Sequence, residues 1–123
     1  MNDRINLIKP YISFDEVAED IKEIFDSGQL TKGHHVDKFV AGLKDYTKAE
    51  YAFLTTSATT ALTMSLKAIG IKEGDRVAVS DFSWPATCNV VEDLGAIPVF
   101  IDVDRHTFNM CPKDLESKLE DYE

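Results

Sequence analysis

The chain has 123 residues, 44% of them hydrophobic and 28% charged, a length and composition for one folded domain or a piece of a larger one rather than a disordered segment. With 22 Asp and Glu against 13 Lys and Arg, a net charge of -9, and lysines dispersed among acids as in Asp20-Ile21-Lys22-Glu23, it repels a phosphate backbone and excludes nucleic acid as a partner. No apolar leader follows Met1-Asn2-Asp3-Arg4, no stretch approaches the roughly 20 apolar residues of a membrane span, and Cys88 and Cys111 alone make neither a four-cysteine zinc site nor a disulfide framework, so a cytoplasmic protein with reduced thiols is expected.

In chain order, Leu7 to Tyr11 reads as an extended arm. Ser13-Phe14-Asp15-Glu16 has capping-box spacing, and Phe14, Val17, Ile21, Ile24 and Phe25 then recur at helical intervals, so a helix is predicted over about residues 14–27 with Gly28 as its stop. A loop, Gly28-Gln29-Leu30-Thr31-Lys32-Gly33, leads to a second helix whose apolar stripe is Val36, Phe39, Val40, Leu43 and Tyr46, ending near Thr47. The unalternating run Tyr51 to Thr55 reads as a short strand of a parallel sheet covered on both faces. It enters a hydroxyl-rich turn, and a third helix follows with small or apolar residues at 58, 61, 62, 65, 66 and 69, stopping at Gly70.

Arg76 to Ser80 gives a second strand, and a helix runs from Pro85 to Leu94, with proline suited to the first turn and Gly95 to the exit. Ile97 to Val103 is a third strand, and Cys111-Pro112 opens a terminal helix carrying Leu115 and Leu119. Strands alternating with crossover-length helices predict an α/β fold with a mostly parallel sheet. Three strands alone would leave long edges bare, so a segment of a bigger α/β domain is expected. Such sheets place ligands beyond the carboxyl ends of their strands, where the turns at Thr55–Thr60 and Asp81–Ala86 both fall.

The first turn admits two readings. The leading amides of a helix lack intrahelical acceptors and attract an anion, so Thr56-Ser57-Ala58-Thr59 suits a phosphate; equally, Ser57 or Thr59 caps the helix and nothing more. The lysine and glycines of a P-loop are missing. In the second turn Trp84, the chain's only tryptophan, either forms a flat wall against a heteroaromatic ring or fills core space. His34, His35 and Asp37 invite a metal reading, but adjacent histidines on a helix start diverge and no HExxH pattern exists, so exposure or capping is preferred and no metal is expected. His106 reads as a surface turn, and Asp102 and Asp104 as a polar strand exit rather than a magnesium site. A triad through Ser57 and Asp81 fails because the Gly-x-Ser-x-Gly elbow is absent.

Gly28-Gln29-Leu30-Thr31-Lys32-Gly33 with Val36 and Phe39, Thr56 to Leu62, Gly74-Asp75-Arg76-Val77, Phe82 to Thr87, and Gly95 to Asp104 resemble, in order and spacing, the DegT/StrS family of sugar aminotransferases. The resemblance runs from the arm to about Leu119 and corresponds to about the first third of a family member. It implies a truncated part of the large domain of a fold-type I transferase using pyridoxal 5'-phosphate: residues 1–35 as arm, first helix and glycine loop, and 36–123 as the first part of the cofactor-binding domain. By the same resemblance, Ser57, Ala58 and Thr59 hold the cofactor phosphate, Trp84 stacks on the pyridine ring, and Thr31 and Gly33 border the substrate opening at a dimer interface. Ala58 stands where the family usually has glycine, which would be strained if the backbone there needed positive φ. His34, Asp81 and Pro85 also depart from the family's usual residues.

The family's cofactor-bearing lysine and its pyridine-binding aspartate have no counterparts among these residues, so no catalytic residue is assigned and this chain alone is expected to be inactive. The implied parent is a homodimer, with a nucleotide-linked keto-sugar and a donor such as glutamate as partners. Open alternatives are the family's dehydratase branch, another fold-type I enzyme, and a non-catalytic binding domain.

Overall fold

The computed structural model describes residues 8–120, so Leu7 of the expected arm lies outside the described residues. The chain divides into two units, Met1–Phe53 and Leu54–Glu123.

In the first unit, α1 (Phe14–Ser27) ends on Gly28 in the left-handed region (φ 69°), whose N–H donates to the Phe25 carbonyl. Glycine is needed there because a Cβ resists positive φ. The expected capping box does not form: Ser13 occupies the N-cap in an extended conformation, but its side chain makes no cap hydrogen bond. Asp15 and Glu16 in the first turn still oppose the helix dipole favourably. α2 (His34–Thr47) follows the glycine loop and closes on Lys48, also left-handed at φ 58°. Neither helix fully buries a residue: Ile21, Ile24, Val36, Val40 and Leu43 of the apolar stripes are half-buried, while Phe14, Phe25, Phe39 and Tyr46 are exposed.

The second unit holds the order α3 (Ala58–Ala68), β1 (Arg76–Ser80), α4 (Ala86–Glu92), β2 (Ile97–Ile101) and α5 (Pro112–Glu120). β1 and β2 pair in parallel, with Arg76 opposite Ile97 and Ser80 opposite Ile101, and α4 is the crossover that parallel pairing requires. The sheet among the described residues has two strands, so this part of the α/β fold is mostly helical rather than sheet-dominated. The expected strand at Tyr51–Thr55 is not one. With Tyr51 70% and Phe53 81% exposed, the run has no neighbouring strand among the described residues to complete its hydrogen bonds. The third predicted strand stops at Ile101, and Val103 instead forms an isolated antiparallel bridge with Met110.

Val79 of β1, Val90 and Val91 of α4 and Ala96 form the core, with Leu66, Ile71, Val77 and Cys88 packed against it. Ile101 is fully buried. α5 is latched to the end of β2 by polar contacts. The Asp114 carboxylate accepts from the Asp102 amide (2.8 Å) and pairs with Lys118 (2.8 Å), whose ammonium also donates to the Phe100 carbonyl. The Lys118 hydrogen bond and then the Asp102 amide hold the Asp114 carboxyl below its usual range, and Asp114 raises Lys118 in turn.

Two outcomes are expected. In urea denaturation, Ile101→Ala costs about 2–5 kcal/mol, because the side chain's packing is lost and a cavity remains, whereas Phe100→Ala, at a half-exposed position, costs less. A carboxyl with a depressed folded pKa stabilises above its unfolded pKa and loses that contribution as pH falls through the folded value; a raised lysine stabilises below its unfolded pKa and loses it as pH climbs through its own. Asp114→Asn should therefore flatten the acid limb of Tm against pH, and Lys118→Met the alkaline limb.

Candidate functional site

The turn before α3 is built by its hydroxyls. Ser57 is the N-cap, extended at φ -159° and ψ 160°, and its Oγ accepts from the Thr60 amide at 3.1 Å while sharing a 3.0 Å hydrogen bond with Thr60 Oγ1. Its carbonyl accepts the first helical bond, from Ala61, at 3.1 Å, and also a bond from Thr55 Oγ1 at 2.8 Å. Capping is therefore real, but it serves only the third and fourth amides. The Ala58 and Thr59 amides, first and second in the helix, have no acceptor among the described residues. No acid stands in the first turn of α3, so the positive end of the helix dipole is unanswered by any carboxylate there. Two free donors at a dipole terminus suit an anion. Ala58 carries no strain: the left-handed non-glycine residues among those described are Lys48 and Phe108, and Ala58 simply begins the helix.

The second turn leaves β1 at Asp81, whose amide donates to the Ile101 carbonyl of β2 at 3.0 Å. Ser83 Oγ lies 2.8 Å from Thr87 Oγ1, and the Thr87 amide donates to the Trp84 carbonyl at 2.9 Å, which binds the turn to the first residues of α4. Trp84 itself is 80% exposed. Among the described residues the indole therefore fills no core, and the turn that carries it is braced by hydrogen bonds on either side.

Topology relates the two turns. α3 and α4 pack against each other, and the Gly74 amide donates to the Gly95 carbonyl at 2.9 Å, joining the segments that leave their C-terminal ends and enter the strands. Their N-terminal ends, Ser57–Thr59 and Trp84–Pro85, therefore lie toward the carboxyl ends of β1 and β2, the side on which open α/β sheets take ligands.

Thr31 and Gly33 belong to the first unit. Thr31 is exposed, and Gly33 is half-buried in the bend before α2. Gly33 is extended, so the constraint there is space and not backbone sign: an added Cβ would come within 2.7 Å of Gln29 Oε1. Gly33 lines a small cavity of about 100 Å³ with Glu23, Ser27, Gln29 and His35. His35 Nε2 is 3.4 Å from Glu23 Oε2, and Asp20 stands close to both. Sequence reasoning paired His35 with Asp37, its neighbour in the chain, and missed the acids one helix earlier. The spacing of Asp20 and Glu23 on one face of α1 was the available signal.

The DegT/DnrJ/EryC1/StrS aminotransferase family model matches residues 12–123. Among solved structures, the chain is similar to Spr1654 of Streptococcus pneumoniae, described as a sugar aminotransferase, in its PLP form, with 31% identity over 92% of this chain and 29% of that one and a TM-score of 0.82. An aminotransferase of Psychrobacter cryohalolentis is 29% identical over 89% of this chain and 28% of its own length, with a TM-score of 0.80. NtdA of Bacillus subtilis, with bound PMP, is 27% identical over 95% and 29%, with a TM-score of 0.77. The chain thus spans less than a third of the length of each.

Removing the cap tests the turn without any ligand. Ser57→Ala should destabilise the 123-residue chain by about 1 kcal/mol, and Ser57→Asp, which restores an acceptor, should recover most of that; urea titration followed by far-ultraviolet circular dichroism reads both.

Proposed function

Because the chain belongs to the DegT/DnrJ/EryC1/StrS aminotransferase family, we propose that it supplies the phosphate-anchoring turn and the ring-covering loop of a pyridoxal-phosphate-dependent enzyme that aminates a nucleotide-linked keto-sugar. The observation that carries this reading is the pair of acceptor-free amides at Ala58 and Thr59, set toward the same strand ends as an exposed, braced indole. An anion with an attached flat heteroaromatic ring meets both requirements at once. Neither a sugar nor a metal ion alone would.

In this reading the Ala58 and Thr59 amides donate to the phosphate oxygens, and the α3 dipole adds to the attraction. The Ser57 and Thr60 hydroxyls, already paired with each other, hold the amides in place and offer further donors. Trp84 covers one face of the ring and keeps water from it. Thr31 and Gly33 border the opening through which the sugar enters. When bound, the cofactor supplies the electron sink that amino-group transfer needs. The lysine and aspartate that the family uses with it are outside these residues, so proton transfer at the reacting carbon is not assigned to any side chain here.

Transfer is favoured over the family's dehydration branch because solved structures similar to this chain at 31% and 29% identity are described as aminotransferases. Supplying glutamate and a nucleotide-linked keto-sugar to an enzyme that joins this chain to the family's lysine-bearing remainder should yield an aminated sugar. A sugar that loses a hydroxyl and gains no nitrogen would establish the dehydratase instead.

Proline is well accommodated at the first position of a helix and removes only its N–H, and the extended Ser57 before it is compatible. Ala58→Pro in that enzyme should therefore keep the fold and weaken binding of pyridoxamine 5'-phosphate about ten- to hundredfold, the worth of one hydrogen bond to a charged group. Trp84→Ala should weaken it about tenfold through loss of ring contact. Unchanged affinity in both, by titration calorimetry, would remove the basis for the reading.

A further inference from the structure

We propose that Phe108 is the positioning residue for Trp84: a left-handed turn after β2 presses its ring onto Phe82, and this contact fixes the loop from which the indole projects. The proposal rests on the ring-covering role given to Trp84 for its functional meaning, though not for the contact itself.

Phe108 has φ 58°, a conformation that a bulky side chain adopts only when its surroundings impose it. Here a network of short hydrogen bonds imposes it. Asp104 Oδ1 accepts from the His106 amide at 3.0 Å and the Thr107 amide at 2.9 Å, while the Phe108 amide donates to the Asp104 carbonyl at 2.8 Å. The Asp104 amide closes the turn onto the Asn109 carbonyl at 2.9 Å, and Val103 and Met110 bridge beneath it. Glycine or asparagine would adopt this backbone at less cost. The phenylalanine does what they cannot: its ring lies 5.2 Å from that of Phe82, tilted by 38°, within the range of favourable aromatic pairs.

Phe82 is the one residue between Asp81 and Ser83, and both of those neighbours are tied by hydrogen bonds, to Ile101 and Thr87 respectively. The Phe108 ring completes the set. Three successive residues are then held before Trp84, so the loop that carries the exposed indole is fixed although the indole has little packing of its own.

Since Trp84 is the only tryptophan in the chain, its fluorescence reports this loop directly in the 123-residue protein. Phe108→Ala should lower the steady-state anisotropy of Trp84 while far-ultraviolet dichroism keeps its helical signal; Phe108→Tyr, which retains the ring, should restore the anisotropy. Phe82→Ala should reproduce the loss from the other side of the contact, and the double variant should add little further loss. Unchanged anisotropy in both alanine variants, or an equal loss in Phe108→Tyr, would overturn the proposal. No ligand is present in this measurement, so it fails or succeeds separately from the effect of Trp84→Ala on cofactor affinity.

Discussion

The parallel pairing of Arg76–Ser80 with Ile97–Ile101 is the constraint on which the Leu54–Glu123 unit depends. Parallel strands cannot be joined by a tight turn, so the chain must travel back along the sheet, and α4 makes that return. Val90 and Val91 on α4 are then forced against Val79 of β1, and this packing is the core. Because α3 leans on α4 and enters β1 through Gly74, its direction is set by the same pairing. The end of the unit at which α3 and α4 begin follows from these contacts without any ligand to organise it.

That end also collects the polar devices of the unit. Asp81 is tied to Ile101, Asp102 to Asp114, and Asp114 to Lys118, so beyond the buried Ile101 the segments leaving both strands are held by hydrogen bonds and one ion pair. Asp81 and Asp102 are exposed and the Asp114–Lys118 pair is half-buried, so water still screens much of the electrostatic contribution. Their value is geometric: they fix loops that have little apolar contact of their own. The first turn of α3 differs, since no acid answers its dipole. The Asp114 carboxylate braces the exit of β2 and a backbone amide that of β1, while no carboxylate stands in the first turn of α3.

Much of this was legible in the sequence, for physical reasons that differ by element. The glycines at 28, 70 and 95 mark stops because each adopts positive φ, and β1 was readable from Val77 and Val79 at strand spacing between Gly74-Asp75 and Asp81. Tyr51–Thr55 misled because its apolar run is the same whether or not a partner strand is present; the hydrogen bonds that would make it a strand depend on residues elsewhere. The Ser13–Glu16 spacing was right for a capping box, yet spacing cannot fix the rotamer that closes one. Phe108 could not have been found by pattern at all, since nothing in Thr107-Phe108-Asn109 announces a left-handed phenylalanine, and its ring partner is 26 positions earlier.

Ala58 shows how a departure from a family pattern can be reconciled by local geometry. A glycine at such a turn is required only if the backbone must enter the left-handed region or if a ligand must come closer than a methyl allows. Here the first condition does not hold, because Ala58 is the first residue of α3 and is not among the left-handed residues. The donor is the N–H, which alanine retains, and alanine stiffens the helix start relative to glycine. The second condition is relaxed by direction: in a helix each Cα–Cβ bond tilts toward the N-terminus but stands off the axis along which the leading amides point. An anion approaching along the axis of α3 can therefore meet the Ala58 and Thr59 amides with the methyl beside its path, so the substitution preserves the chemistry that the turn offers while changing only the shape of its rim.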